Sequence, residues 1–316
     1  MNKIKPQIID KSIKKELINV FFVTSPIVAI VVKMIILKFK INPNNVLIFS
    51  FRNTDLSLLD YEKTYIKPKK IDKYFEKIFF QSPSGNRILK KIKTYNKSFL
   101  LYTPIAFREV NYLIKSNLCY GHVYIEEGQH SYFNINSYDH SSVGLFDIFK
   151  KNWKNRFSET NELGFYYRDD AHCFIGLSKN IFPKISRKKV FVLDNIEEVK
   201  KFYSPILKGV RSIGLTCAER RLEKNNWTQM IKQIIKHLPL NSYIKLHPSF
   251  TANKSIYNKF IGEFNQIAKG RYKICPKDTI IELEMMYEKK TLIGPVSSLT
   301  KYAEMMGSEY KQINLY

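Results

Sequence analysis

Three short polar clusters in this sequence combine residue types that can move or stabilise charge. Glu126-Glu127-Gly128 sets two carboxylates side by side. Like charges repel, and that crowding raises one pKa toward the range useful for a general base. Gly128 lets the chain turn sharply away. His247-Pro248 offers an imidazole that can donate to a phosphate oxygen and so improve a nucleotide monophosphate as a leaving group. Its proline fixes the chain direction and is expected to keep His247 out of a helix. Gly294-Pro295-Val296-Ser297-Ser298 places two hydroxyls where a helix is expected to start, a combination that cradles phosphate. Read singly, each cluster has an ordinary alternative. The acidic pair can be a solvated turn, His247 a structural histidine, and Ser298 a plain N-cap.

Their shared position is the stronger argument. Each follows a run that reads as a strand: Gly121 to Ile125, Tyr243 to Leu246, and Thr291 to Ile293. In open parallel sheets ligands bind outside the carboxyl ends of the strands.

The rest of the chain alternates in the same way. Val20 to Val23 reads as a buried strand, and Ser25 caps a helix with Pro26 at its first position. Ile27, Ile30, Val31, Met34 and Ile35 recur on one helical face. Strands follow at Asn45 to Phe51 and Ser98 to Thr103, with helices at Lys69 to Phe80, Asn86 to Lys93 and Phe107 to Ser116. From Tyr138 to Asp194 the periodicity fades into irregular helices and a connector. It returns with a strand at Arg211 to Leu215, a helix at Trp227 to His237, and a strand at Tyr243 to Leu246. Beyond these come a helix at Ser255 to Ala268, a strand at Tyr272 to Ile274, a helix at Thr279 to Tyr287 capped by Asp278, and a last helix from Ser298 to Met306. Alternation of this kind predicts α/β domains built on parallel sheets. The expected division is residues 1–190, a Rossmann-like domain with connector, and 191–316, a second Rossmann-like domain. Two such domains facing a central cleft form a GT-B-like architecture.

Composition sets further bounds. The chain has 316 residues, 44% of them hydrophobic, enough for two cores, and 52 Lys+Arg against 28 Asp+Glu give a net charge of +24. Such an excess fits a nucleic-acid binder, a protein resting on anionic membrane, an enzyme for anionic substrates, or simply a solvated lysine-rich surface. No zinc-finger spacing, RRM-type aromatic motif or dense basic helix supports nucleic acid as a partner. The four cysteines lie far apart, with no metal or disulfide spacing, and a reducing cytoplasm is expected. Leu17 to Leu37 is the one candidate membrane segment, but Asn19, Thr24, Ser25, Pro26 and Lys33 interrupt it. Asp169-Asp170, the only such pair, reads as a solvated turn.

In order and context, the acidic pair with Gly128, then His247-Pro248, then Ser297-Ser298 resembles the bacterial GT-B-type sialyltransferases that use CMP-sialic acid, the lipooligosaccharide, capsule and polysialic-acid group. Phe21 to Pro26 (FFVTSP) is similar to their first strand and loop. The resemblance implies an inverting transferase that moves sialic acid from CMP-sialic acid to a sugar hydroxyl of a cell-surface glycan or glycolipid. It also implies that the first domain takes the acceptor and the second the donor. By similarity, Glu127 is the general base, with Glu126 the second candidate. His247 is the acid toward the departing phosphate; Pro248, Gly294, Ser297 and Ser298 belong to the CMP site. Glu282 takes the ribose hydroxyls, with Glu284 as the fallback. One leaving phosphate removes the need for a metal or other cofactor, and the enzyme is expected in the cytoplasm, peripheral to the anionic inner membrane face. A CMP-dependent Kdo transferase with similar motifs is the nearer alternative, and a basic nucleic-acid-binding protein the more distant one.

Overall fold

A computed structural model of the chain describes residues 6–50, 56–65, 83–106, 108–128, 131–132, 167–168, 170–218, 226–251 and 254–314. The helix expected over Lys69 to Phe80, and Asp169, lie outside these. The chain forms two compact units, residues 1–199 and 200–316, so the first unit runs past the boundary expected at 190.

In the first unit the order is α1 (Gln7–Lys14), β1 (Ile18–Val23), α2 (Pro26–Phe39), β2 (Val46–Ser50), β3 (Glu62–Tyr65), α3 (Pro83–Lys93), β4 (Phe99–Thr103), α4 (Arg108–Ile114), β5 (Cys119–Ile125), β6 (Cys173–Gly176), β7 (Val190–Val192) and α5 (Ile196–Lys200). Its seven strands form one sheet in the order β3-β2-β1-β4-β5-β6-β7, with every neighbouring pair parallel. The second unit runs β8 (Ser212–Leu215), α6 (Trp227–Lys236), β9 (Tyr243–Lys245), α7 (Pro248–Thr251), α8 (Lys254–Ala268), β10 (Lys273–Ile274), α9 (Ile281–Tyr287), β11 (Thr291–Gly294), α10 (Leu299–Met305) and β12 (Glu309–Gln312). Its five-stranded sheet, β10-β9-β8-β11-β12, is also parallel throughout. Both orders reverse direction beside the first strand of their unit, the arrangement of a Rossmann-like sheet.

A parallel sheet covered on both faces needs strands that are apolar on both sides. That is why INVFFV, VLIFS and FLLYT are buried along their whole length. On one face Val20, Phe22, Leu47, Phe49 and Leu101 pack with Ile88 and Ile92 of α3 and Val110 and Leu113 of α4. In the second unit, Trp227, Met230, Ile231 and Ile234 of α6 pack with Phe260 and Phe264 of α8.

Four differences from the sequence reading have physical causes. Helix α2 is buried over most of its circumference, including Lys33, rather than on one face. The Lys33 ammonium lies over the Tyr61 ring, 5.1 Å from its centre, and burial lowers its pKa. The region called irregular contains β6 and β7, and β3 and β12 were also missed. These are three- or four-residue strands near the sheet edges, too short or too polar to show a period. Asp278 does not cap α9, whose N-cap is Ile280. Asp170 does stand in an exposed turn, but it is also tied down: it accepts from Arg168 Nε at 2.9 Å and Nη2 at 2.7 Å, and its Oδ1 lies 3.4 Å from Nε2 of His122. Among the described residues no helix is long and apolar enough to cross a membrane.

His122 predicts how stability follows pH. Burial, at 3% exposure, pushes its pKa down from 6.5 to about 4, with Arg168, His172 and Lys189 adding to the effect and Asp170 opposing it. A folded pKa below the unfolded one means the unfolded chain binds more protons in that window, so stability present above pH 6.5 is lost as pH falls toward 4. Urea denaturation at neutral pH and near pH 5 should show a loss of about 2 kcal/mol from this group. The difference should shrink in His122→Asn; an unchanged pH dependence in that variant would assign the acid sensitivity elsewhere.

Candidate active site

Within the first unit, Glu126-Glu127-Gly128 follows β5 directly, at the carboxyl edge of the sheet. The structure separates the two carboxylates. Glu126 is fully buried: Oε1 accepts from the Tyr132 hydroxyl at 2.7 Å and Oε2 from the backbone N–H of Leu177 at 2.7 Å. It ties the end of β5 to the chain leaving β6, with a hydrogen bond on each carboxylate oxygen. Glu127 is half-buried, and its backbone N–H donates to Oγ of Ser131 at 2.9 Å. Gly128 has φ +113, a conformation that strains any residue with a Cβ.

Within the second unit, the ends of β8, β9 and β11 converge. The hydroxyl of Thr216, just past β8, accepts the backbone N–H of His247 at 2.7 Å. His247 is exposed and caps α7, with Pro248 as the first helical residue. Its Nδ1 accepts the N–H of Ser249 at 3.1 Å, with the Ser249 hydroxyl at 3.0 Å. The proline thus keeps His247 out of the helix, as expected, and itself starts α7. An acceptor at Nδ1 places the proton of the neutral ring on Nε2, which is then a donor.

The turn after β11 is packed against β8. A Cβ at Gly294 would stand 2.7 Å from the Leu215 carbonyl oxygen, so only glycine fits. The Tyr310 hydroxyl, on β12, donates to the Pro295 carbonyl and reaches the Ser297 hydroxyl. Ser297, not Ser298, does the local capping: its Oγ accepts the N–H of Leu299 at 3.3 Å, while the Ser298 side chain makes no capping bond. Helix α10 has only seven residues, so the two hydroxyls, more than a helix dipole, recommend this turn for phosphate.

The two ribose candidates also part. Glu284, the fallback, has both oxygens occupied, by the Tyr203 hydroxyl at 2.6 Å and the N–H groups of Ile206 and Leu207 at 2.7 and 3.1 Å. Glu282 is buried, and desolvation raises its pKa, with its own N–H and Lys245 pulling the other way. Lys245 itself donates to the carbonyls of Pro276 and Lys277. Thr216 and Ser131 were missed by sequence reasoning. For Thr216 a signal existed: it is the first polar residue after a strand at the point where strand order reverses. Among the described residues no group of three or more His, Cys, Asp and Glu side chains could hold a metal ion.

These geometries predict a division between the two glutamates. Glu126→Gln puts an amide N–H where one buried donor now points, and should destabilise the fold by about 2 kcal/mol. Glu127→Gln should leave the unfolding midpoint within error. Equal destabilisation in thermal melts would show that the two carboxylates do not differ in this way.

No family model matches the chain, and no curated protein matches it in sequence. Solved structures do share its fold. The UDP-GlcNAc 2-epimerase from Neisseria meningitidis, bound to UDP-GlcNAc, aligns over 94% of this chain and 82% of its own, with TM-score 0.53 and 12% identity. S. aureus MnaA, solved with UDP, aligns over 94% of this chain and 80% of its own, with TM-score 0.54 and 12% identity. At such identities the likeness is one of fold, and the fold is the GT-B-like pair of Rossmann-like domains.

Proposed function

We propose that this protein is a sugar-nucleotide-dependent glycosyltransferase, and that it moves sialic acid from CMP-sialic acid to a sugar hydroxyl of a surface glycan, lipooligosaccharide or capsule. The observation that carries the reading is His247. Its Nδ1 accepts the N–H at the start of α7, which makes Nε2 the protonated, donating nitrogen of the neutral ring, and it stands at the same sheet edge as the Ser297-Ser298 turn. The fold relatives solved with UDP and UDP-GlcNAc support a nucleotide-sugar donor; the motif resemblance supports CMP-sialic acid.

In this reading the second unit holds the donor. Ser297 and Ser298 take the phosphate, Glu282 the ribose hydroxyls, and Gly294 and Pro248 shape the loops. The acceptor hydroxyl attacks the anomeric carbon and gives its proton to Glu127. The bond to the CMP phosphate oxygen breaks as His247 Nε2–H donates to that phosphate, and the anomeric centre inverts. No step calls for a metal.

Purified protein offered CMP-sialic acid, CMP-Kdo and UDP-GlcNAc with a glycan panel should transfer sialic acid alone, in EDTA as in magnesium. His247→Ala should lower turnover by ~10²–10⁴-fold with donor affinity nearly kept. Glu127→Gln should abolish transfer while CMP binding persists. Epimerisation of UDP-GlcNAc without transfer, or full turnover in His247→Ala, would overturn the reading.

A further inference from the structure

The segment joining α5 to β8, residues 201–211, has no helix or strand of its own, yet it is held at many points. Glu284, fully buried, accepts from the Tyr203 hydroxyl and from the N–H groups of Ile206 and Leu207. The buried ammonium of Lys290 donates to the carbonyls of Leu207 and Val210, both at 2.8 Å, and to Oε2 of Glu288 at 2.7 Å. Glu288 also accepts the Gly209 N–H at 3.0 Å, and the Tyr287 hydroxyl donates to the Tyr203 carbonyl at 2.6 Å. A buried carboxylate and a buried ammonium are costly to desolvate, and here both are satisfied largely by the backbone of this loop.

What the loop then displays is apolar. Phe202 is 51% exposed, Ile206 36%, and the adjoining Tyr287 41%. Large side chains fixed outward by a rigid backbone gain nothing in water. Exposed lysines flank them: Lys201 and Lys208 on the loop and Lys289 after α9. Of the neighbouring acids, Glu284 is occupied by the loop and Glu288 pairs with Lys290, while Glu197 and Glu198 on α5 are exposed and form no ion pair with Lys201. Among the described residues no ion pair involves Lys201, Lys208 or Lys289.

We propose that this loop and the end of α9 form a docking surface for an anionic lipid bilayer, with Phe202 and Ile206 entering the headgroup layer, Tyr287 at its boundary, and Lys201, Lys208 and Lys289 on the anionic headgroups. Exposed apolar side chains gain by leaving water for the headgroup layer, and basic residues near it are attracted by negative surface potential. Charge complementarity selects this partner over a second copy of the chain, whose net charge of +24 repels its like. The surface is independent of which sugar nucleotide the protein uses. It adjoins the proposed donor site through α9, whose first turn carries Glu282.

The test is co-sedimentation of the full chain with phosphatidylcholine vesicles, with and without phosphatidylglycerol, at low and high salt. Binding should require phosphatidylglycerol and weaken as salt rises. Phe202→Ser with Ile206→Ser should reduce partitioning about ten-fold. Each of Lys201→Gln, Lys208→Gln and Lys289→Gln should reduce it by about five-fold. Thermal melts confirm folding; the lysine variants, all at exposed positions, keep the test valid if the apolar pair disturbs the loop. Phe202→Trp should show a blue shift of emission on anionic vesicles over that of the parent protein. No binding, equal binding to neutral vesicles, or wild-type binding by both sets of variants would overturn the proposal. So would lipid-free self-association that Phe202→Ser abolishes, which would assign the surface to a second copy.

Discussion

A carboxylate removed from water must be given hydrogen-bond donors, and much of this protein's functional geometry follows from two that are. Glu126 and Glu284 are both fully buried. Each takes backbone N–H groups from a loop distant in sequence, Leu177 in one case and Ile206 and Leu207 in the other, together with a tyrosine hydroxyl. Hydrogen bonds to a buried charge are worth roughly 1.5–3 kcal/mol each, and in segment 201–211 the Lys290 ammonium, Glu288 and the Tyr287 hydroxyl add further bonds to the backbone. In the first unit the consequence is the placement of Glu127, whose backbone leaves the buried anchor in a defined direction. In the second it is a rigid segment 201–211 and a fixed α9.

The sheets add a second constraint. Parallel strands all deliver their following loops to one edge, so Thr216, His247 and Gly294 to Ser298 must be neighbours once β8, β9 and β11 pair. The pairing sets the neighbourhood, and smaller interactions set the positions within it. The Thr216 hydroxyl pins the His247 backbone, the absent Cβ of Gly294 lets β11 approach Leu215, and Tyr310 supports the serine turn from the next strand.

Strands β1, β2 and β4 were legible in the sequence because burial on both faces requires contiguous apolar runs of five or more residues, and β5 was found from its buried second half; β6 is equally buried but, at four residues, was too short to stand out. Strands β3 and β12 were not legible either: EKTY and EYKQ carry mostly polar side chains and owe their extension to a neighbour's hydrogen bonds. The candidate clusters were legible as positions after strands. Their internal assignments were not, since Glu126 and Glu127 are identical in type and only the direction of each side chain, which sequence does not show, buries one and leaves the other half-exposed. Asp278 looked like a cap because acids commonly are, yet the chain enters α9 two residues later, where the Tyr203 hydroxyl accepts the Ile280 N–H.

A polar side chain can serve fold and chemistry together only if the fold leaves part of it unused, and that criterion sorts the candidates. Glu284 is committed through both oxygens to the N–H and O–H groups that hold the loop, and Glu126 likewise to Leu177 and Tyr132. An additional ligand would have to compete with bonds that the structure needs. His247 is different, because its two nitrogens are separate groups. Using Nδ1 to cap α7 orients the ring and selects the tautomer, which is what the proposed donor role would require. Ser297 and Ser298 divide the work between residues: one hydroxyl takes the helix N–H, and its neighbour makes no capping bond. At Glu126 and Glu284 the structural bonds fall on the oxygens that a ligand would need, whereas at His247 the capping bond and the proposed chemistry fall on different nitrogens.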